Sequence, residues 1–369
     1  MKVYLIILVF VPLFSFGQVH KIDSLIESRI DYTSENPVHS ILIQIDHSDK
    51  NKSYSKGFGT KNNDSSLVSG QEQFKTASST KLFISTIILQ LIEEGKLDLK
   101  DKASKYLENI EFLEFDNFHI YNKTKFANNI TIQQLLSHRT GLADIFIDKE
   151  EAFFNLLLQN PNKQYTPKSI VELYYEYNLN KSAHFEPNMG WYYSDMNFVL
   201  IGLIIEQIEQ TTLAESIRKR ILDPLEMKAT YFEYYEKPVQ RKDMINQYVG
   251  KLDFSKINTS FDWSGGGLVS TNNDLSIFIK SLFDLKLINK QSLDKMIDVQ
   301  FSKENENRYG LGIYETIYNG NTYFGHYGFY GTYIGYFPET KTAISYSISQ
   351  AITDFSTYDL ISEILKLTE

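Results

Sequence analysis

The amino-acid sequence predicts an α/β protein of the α+β type: an antiparallel sheet flanked by helices, with a mostly helical lobe inserted. Three observations lead there. Two strand patterns, at 40–45 and 52–59, are joined by a polar turn around Ser48-Asp49-Lys50-Asn51. From Ser78 to about residue 245 helical patterns dominate, as at 131–137, 168–177, 198–210 and 212–222. Beyond a helical pattern at 274–285, alternating aromatic and β-branched segments follow at 309–318, 322–326, 331–337 and 342–349. Turn signals at Asn319-Gly320 and Pro338-Glu339-Thr340 separate them, as in an antiparallel meander.

Each element has its place in that scheme. A helical pattern at 22–30 precedes the first strand, and another at 357–367 follows the last and would cover one face of the sheet. The early strands and the late meander are expected to join one sheet. Residues 18–77 and 250–369 then form an α/β lobe, and 78–249 a mainly helical one, with no internal repeat. A catalytic cleft is expected between the lobes.

Composition narrows the class. A chain of 369 residues that is 42% hydrophobic can bury a large core. The net charge of −9 argues against nucleic acid as a partner. There is no cysteine, which removes disulfides, thiolate metal sites and a cysteine nucleophile. The seven histidines are scattered with no His-Glu-x-x-His, so neither a metal nor any other cofactor is expected. Lys2, the apolar run 3–14 and the small residues ending at Gly17 have the layout of a signal peptide, residues 1–17. The mature protein is therefore expected to be periplasmic or secreted, without a membrane span, and monomeric. No other segment is long and apolar enough to cross a bilayer.

The most informative point is a serine and a lysine three residues apart, Ser78 and Lys81. They open the run 82–92, apolar almost all round and therefore a buried helix, with Gly95 placed for a left-handed C-cap. Ser78 falls at the helix N-terminus, where unpaired N–H groups favour a developing negative charge. Lys81 lies one turn on, on the same face. Burial disfavours an ammonium, which is what lets an amine take a serine proton. Ser-x-x-Lys recurs at Ser53/Lys56, Ser216/Lys219 and Ser292/Lys295, but only the pair at Ser78 introduces a buried helix.

Two further segments complete an ordered triplet. Tyr193-Ser194-Asp195 precedes a helix, and His326-Tyr327-Gly328 lies in the meander. Ser-x-x-Lys, Tyr-x-Asp and His-x-Gly in this order resemble the serine β-lactamase and penicillin-binding protein superfamily. The tyrosine in the middle motif points to its class C β-lactamase-like branch, which also includes D-amino-acid-specific peptidases and esterases. The stretch 130–142, ending Ser137-His138-Arg139-Thr140-Gly141-Leu142, resembles the same branch, as do Asp223-Pro224-Leu225-Glu226-Met227 and Gly265 to Thr271 with Asp274. The resemblance runs from about residue 36 to the C-terminus and implies a β-lactamase/transpeptidase-like fold.

It also implies roles. Ser78 would be the nucleophile of an acyl-enzyme, with Lys81 and Tyr193 sharing general-base and general-acid work. The backbone N–H groups of Ser78 and Phe329 would form the oxyanion hole. Asp195, His326 and Gly328 would contribute to substrate binding, Gly328 by letting the strand backbone come close. The substrate would be a small molecule or peptide, cell-wall-derived material among the candidates. His326-Tyr327-Gly328 stands where β-lactamases of this branch have Lys-Thr-Gly, and Asp195 where they have asparagine. Without that lysine a substrate carboxylate loses its counter-charge, so ester, amide or D-amino-acid peptide hydrolysis is expected ahead of β-lactam hydrolysis.

Structural roles stand beside these. Asp195 also suits an N-cap, His138 a buttress for a helix end, and the glycine triplet a tight turn needing positive φ. Trp191, Trp263 and Tyr330 suit either the cleft wall or ordinary packing. An unrelated Ser-His-Asp hydrolase is disfavoured, because no Gly-x-Ser-x-Gly occurs. A binding or sensor protein that acylates once and stalls remains open, since fold does not fix turnover.

Overall fold

The computed structural model describes residues 16–62, 66–299 and 308–368. The leader assigned to residues 1–17 lies outside the described residues except for Phe16 and Gly17. Those two open helix α1 (Phe16–Glu27).

Six strands form one antiparallel sheet: β1 (Ser40–His47), β2 (Lys52–Gly59), β3 (Tyr314–Tyr318), β4 (Asn321–Gly328), β5 (Thr332–Phe337) and β6 (Thr342–Ile348). Their order is β3-β4-β5-β6-β1-β2, so the N-terminal hairpin pairs with the C-terminal meander through β1 and β6. Ile41 faces Ile348 and Ile45 faces Ile344 across that junction. Every residue of these two central strands is buried. The pleat divides β1 between two cores. Ile41, Ile43 and Ile45 pack with Ile22, Ile26, Leu360 and Ile364 from α1 and the C-terminal helix Thr357–Thr368. Leu42 joins the larger core on the other face.

That larger core is built on two helices buried nearly all round, α2 (Thr80–Glu93) and α3 (Asp195–Glu209). α2 ends in a Schellman motif: Gly95 takes φ +70°, its N–H reaches Ile92 O at 2.9 Å, and the Lys96 N–H reaches Leu91 O at 3.0 Å. Phe83 of α2 stacks at 3.7 Å on Phe278 of helix Asn272–Phe283, which links α2 to the sheet side. α3 passes close to the short helix Trp263–Gly266. A Cβ on Gly202 would lie 2.8 Å from both Trp263 and Ser264, so only glycine permits that crossing.

A second, three-stranded sheet fixes the approach to α2. Phe74–Lys75 pairs with Leu268–Ser270, which pairs with Tyr231–Phe232. Thr76 then donates its N–H (2.9 Å) and its hydroxyl (3.0 Å) to Leu268 O. The chain turns once as a 3-10 helix, Ala77–Ser79, and enters α2. This pins the residues before α2 to the glycine-rich segment. No helix among the described residues is long and apolar enough to cross a membrane.

Candidate active site

Ser78 sits in the single turn that feeds α2, and Lys81 in the first turn of α2 itself. First-turn N–H groups have no acceptor within their helix, so that of Ser78 is available to a ligand. Ala77, immediately before it, holds φ +46°, a left-handed conformation that costs an alanine energy and that tertiary contacts must enforce. Lys81 Nζ is fully buried and has three acceptors: Ser78 Oγ at 3.0 Å, Gly265 O at 2.7 Å and the Asp195 carboxylate. It also lies 5.0 Å from the centre of the Tyr193 ring and 5.3 Å from that of Phe198. The Tyr193 phenol lies beside Ser78, which acts to lower its pKa. Burial, followed by the nearby Asp195 carboxylate, holds that phenol well above its ordinary range. Hydroxyl, amine and phenol, from stretches more than a hundred residues apart, thus meet in one place.

Asp195 is placed by two constraints. It is the first residue of α3, and its N–H donates to Asp144 Oδ2 at 2.6 Å. Its carboxylate can reach Lys81 because Gly265 has no side chain: a Cβ there would lie 2.6 Å from Asp195 Oδ1 and 3.4 Å from Lys81 Nζ. Two expectations are corrected here. The N-cap of α3 is Ser194, not Asp195, and its side chain bonds Ala143 O instead of a helix N–H. None of Gly265, Gly266 and Gly267 has positive φ. The triplet is needed for close approach, and the positive φ falls on the preceding Trp263, at +28°.

His138 buttresses Tyr193. Its Nδ1 accepts the Ser194 N–H at 3.2 Å and faces Asn197 Nδ2 at 3.1 Å, which places the ring proton on Nε2. Its carbonyl accepts the Tyr192 N–H at 3.0 Å, and its ring stacks on that of Tyr193 at 4.2 Å. Burial, then the charge of Lys81, drives its pKa well below the usual histidine value, so the ring is neutral.

His326 does not face a substrate. Its Nδ1 meets Tyr327 O at 2.6 Å and must carry the proton, so Nε2 accepts from the Tyr309 hydroxyl at 3.0 Å. Both nitrogens are spent inside the protein, and burial followed by Lys81 pushes its pKa down to about 3. The sequence reading of His326 as a substrate-binding side chain is therefore corrected: it is a neutral wedge behind Tyr193, at 6.3 Å between ring centres. Its carbonyl still matters, accepting the Ser79 hydroxyl at 3.0 Å and tying β4 to the nucleophile turn. Gly328 serves the same junction. A Cβ there would lie 2.2 Å from Thr76 O and 3.2 Å from the Ala77 Cβ, so its bareness admits the turn that carries Ser78. The next residue, Phe329, is half-exposed, and its N–H has no backbone acceptor among the described residues.

A cavity of about 320 Å³ opens at Ser78. Its apolar wall comes from the segment 146–157, which includes Phe146, Phe153, Phe154 and Leu157, together with Phe254, Phe261 and Phe329. Tyr193, Asp195, Gly265 and Tyr330 also line it, whereas Trp191, Trp263 and His326 do not. Sequence reasoning missed two carboxyl groups here. Asp144 is fully buried and accepts the N–H groups of Phe146 (2.8 Å), Ile147 (3.0 Å) and Asp195, and so ties the cavity wall to α3. Burial, then Asp195, raises its pKa to about 8. Asp262 lines the cavity and accepts the Tyr330 hydroxyl at 2.7 Å. The one available signal was position: Asp144 follows Thr140-Gly141-Leu142, and Asp262 precedes the glycine triplet.

The fold is that of a serine β-lactamase or penicillin-binding protein relative. A family model described as Beta-lactamase matches residues 47–366, and the chain belongs to that family. Among curated proteins it is 25% identical to a putative D-alanyl-D-alanine carboxypeptidase of Salmonella heidelberg (strain SL476), over 90% of this chain and 82% of that one. It is also 31% identical to Protein flp of Staphylococcus aureus (strain MW2) over 48% of its own length, and that match spans only 32% of the relative. Among solved structures, D-amino acid amidase from Ochrobactrum anthropi SV3 superposes with a TM-score of 0.75 at 23% identity, covering 94% of this chain and 98% of that one. An octameric penicillin-binding protein homologue from Pyrococcus abyssi gives 0.76 at 25% identity, covering 95% and 78%.

Proposed function

We propose that the protein is an exported serine hydrolase that cleaves an ester, amide or D-amino-acid peptide bond through an acyl-enzyme on Ser78. One observation carries this reading: Ser78 Oγ accepts a hydrogen bond from Lys81, with the Tyr193 phenol beside it, at the mouth of an apolar cavity. An ammonium has three donors, and Lys81 has an acceptor for each. The Ser78 proton is then left to face Tyr193, and because that phenol keeps its own proton it acts as a relay, its oxygen taking the serine proton as its own proton passes on to the leaving atom. Ser78 Oγ attacks the acyl carbon while the N–H groups of Ser78 and Phe329 receive the oxyanion. The proton passes through Tyr193 to the leaving group, and water, activated in reverse, frees the acid. The apolar run after Lys2 supports export, and the chain is taken to act as a monomer.

β-Lactams and C-terminal carboxypeptide substrates suit the site less well, because no Lys or Arg is found among the described residues lining the cavity. The test is steady-state turnover of p-nitrophenyl butyrate, a chromogenic cephalosporin and a D-alanyl peptide by purified protein. Ester turnover that is lost in Ser78→Ala supports the proposal. Consumption of the cephalosporin alone contradicts the substrate reading, and a single burst without turnover points to the stalled binding protein instead.

A further inference from the structure

A second cleft, of about 610 Å³, shares no lining residue with the catalytic cavity. It lies between residues 32–37, which join α1 to β1, and the hairpin Tyr248–Val249/Leu252–Asp253. Gln350 fixes these two parts relative to one another. Its Nε2 donates to Pro37 O at 3.1 Å and to Gly250 O at 2.9 Å, and its Oε1 accepts the Gly250 N–H at 3.0 Å. Lys251 of the hairpin pairs with Glu35 at 2.7 Å. Three rings line the cleft in a row. Half-exposed Tyr32 has its ring centre 5.6 Å from that of His39, and His39 lies 4.6 Å from Tyr248. His39 is 7% exposed, yet neither of its ring nitrogens has a hydrogen-bond partner among the described residues. Burial, against the charge of Asp253, holds its pKa below the usual histidine value, so the ring keeps one donor and one acceptor. A buried polar group without a partner is costly, and in the wall of an open cleft a ligand can satisfy it.

We propose that this cleft is a saccharide-binding site, in which an uncharged sugar ring lies on the face of Tyr32 and its hydroxyl groups bond His39, Thr33 and Thr60. The chemistry of the lining selects that class. No carboxylate is among the described residues lining the cleft, and its one cation, Lys251, already has Glu35. Neither a cation nor an anion therefore finds a counter-charge. What remains is an exposed aromatic face beside neutral donors and acceptors. A pyranose presents apolar C–H groups on its faces and hydroxyls around its edge, and so matches both. Thr33 is set for this role, because Asp31 Oδ1 accepts its hydroxyl proton at 2.8 Å and leaves the oxygen as an acceptor. The site is independent of the hydrolase reading, but it joins the same part of the fold. Gln247, next to Tyr248, donates to Lys75 O at 3.0 Å and to Tyr330 O at 3.1 Å. Phe254, which follows the hairpin, lines the catalytic cavity. A bound glycan is thus held on the hairpin that leads into the cavity wall.

The test is calorimetric binding of neutral trisaccharides to the full chain. The probes are cellotriose, maltotriose, mannotriose and triacetylchitotriose, with trigalacturonate as the anionic counterpart. At least one neutral trisaccharide should bind with a Kd of about 1 mM or tighter, and about 10-fold or more tightly than trigalacturonate. Tyr32→Ala, at a half-exposed position, should weaken that binding by about 10-fold or more. His39→Phe keeps a ring and removes the nitrogens, and should weaken binding by about 10-fold. It should not lower the thermal midpoint, because no hydrogen bond of the folded chain is lost. Turnover of p-nitrophenyl butyrate should be the same in both variants, which keeps this test apart from that of the hydrolase reading. No binding of any neutral trisaccharide, tighter binding of trigalacturonate, or binding undiminished by Tyr32→Ala overturns the proposal. If His39→Phe does not fold, Tyr32→Ala still decides.

Discussion

Gly265→Ala isolates the contact on which the catalytic geometry depends. The added Cβ would stand 2.6 Å from Asp195 Oδ1, 0.8 Å short of the 3.4 Å at which ordinary contact begins. The clash falls on the end of a side chain, and Gly265 has no positive φ, so alanine fits the backbone. Relief comes from turning Asp195 away. That loosens its bond to Lys81 and shifts the ammonium relative to Ser78 Oγ, now 3.0 Å away. Misplacing a reacting group by about 1 Å costs on the order of 100-fold in rate. We therefore expect kcat for p-nitrophenyl butyrate to fall by about that factor. The thermal midpoint should move by only a few degrees, as for a loss of about 1 kcal/mol. The assay is steady-state kinetics beside thermal unfolding followed by circular dichroism. A folded Gly265→Ala protein with undiminished kcat would refute the reasoning, because Asp195 and Lys81 would then be free to move without consequence.

Tyr193→Phe keeps the ring that stacks on His138 and removes the phenol oxygen. We expect kcat to fall by about 100- to 10,000-fold with KM little changed, read in the same ester assay. Gly328→Ala should behave differently from Gly265→Ala, since its Cβ would strike the Thr76 carbonyl at 2.2 Å, a backbone atom that cannot swing aside. Stability should drop by about 3 kcal/mol or more, measured by urea unfolding, with activity lost alongside it. His326 gives a pH signature. With its native pKa near 3 and an unfolded value near 6.5, the unfolded chain binds the extra proton between those limits, so stability falls as pH drops through that window. Between pH 7 and pH 5 this contributes about 2 kcal/mol, and urea unfolding of His326→Phe at the two pH values should show a difference smaller by about that amount.

What the sequence disclosed follows the range of its signals. The sheet was readable because its strand segments are rich in β-branched and aromatic residues and set off by turn signals, and α2 because its apolar run is continuous and stops at Gly95. Ser78 and Lys81 could be paired because helix geometry fixes residues three apart, whatever the rest of the chain does. Local motifs say less about what faces what. His326 lies in a legible strand, but its ring is turned to Tyr309 by packing that no short motif encodes. Gly265 was legible as glycine but not for its reason, since the atom it spares belongs to a residue seventy positions earlier. Asp144 and Asp262 went unnoticed because a buried carboxyl group has no periodicity. Only the assembled fold shows that one ties α3 to the cavity wall and the other meets Tyr330.

The most direct measurement is intact-mass and peptide mass spectrometry of protein quenched during p-nitrophenyl butyrate turnover. A butyryl group on the peptide containing Ser78, absent from Ser78→Ala, is the predicted result. Turnover with the acyl group on another residue, or ester hydrolysis that persists in Ser78→Ala, would contradict a hydroxyl activated by Lys81 and Tyr193.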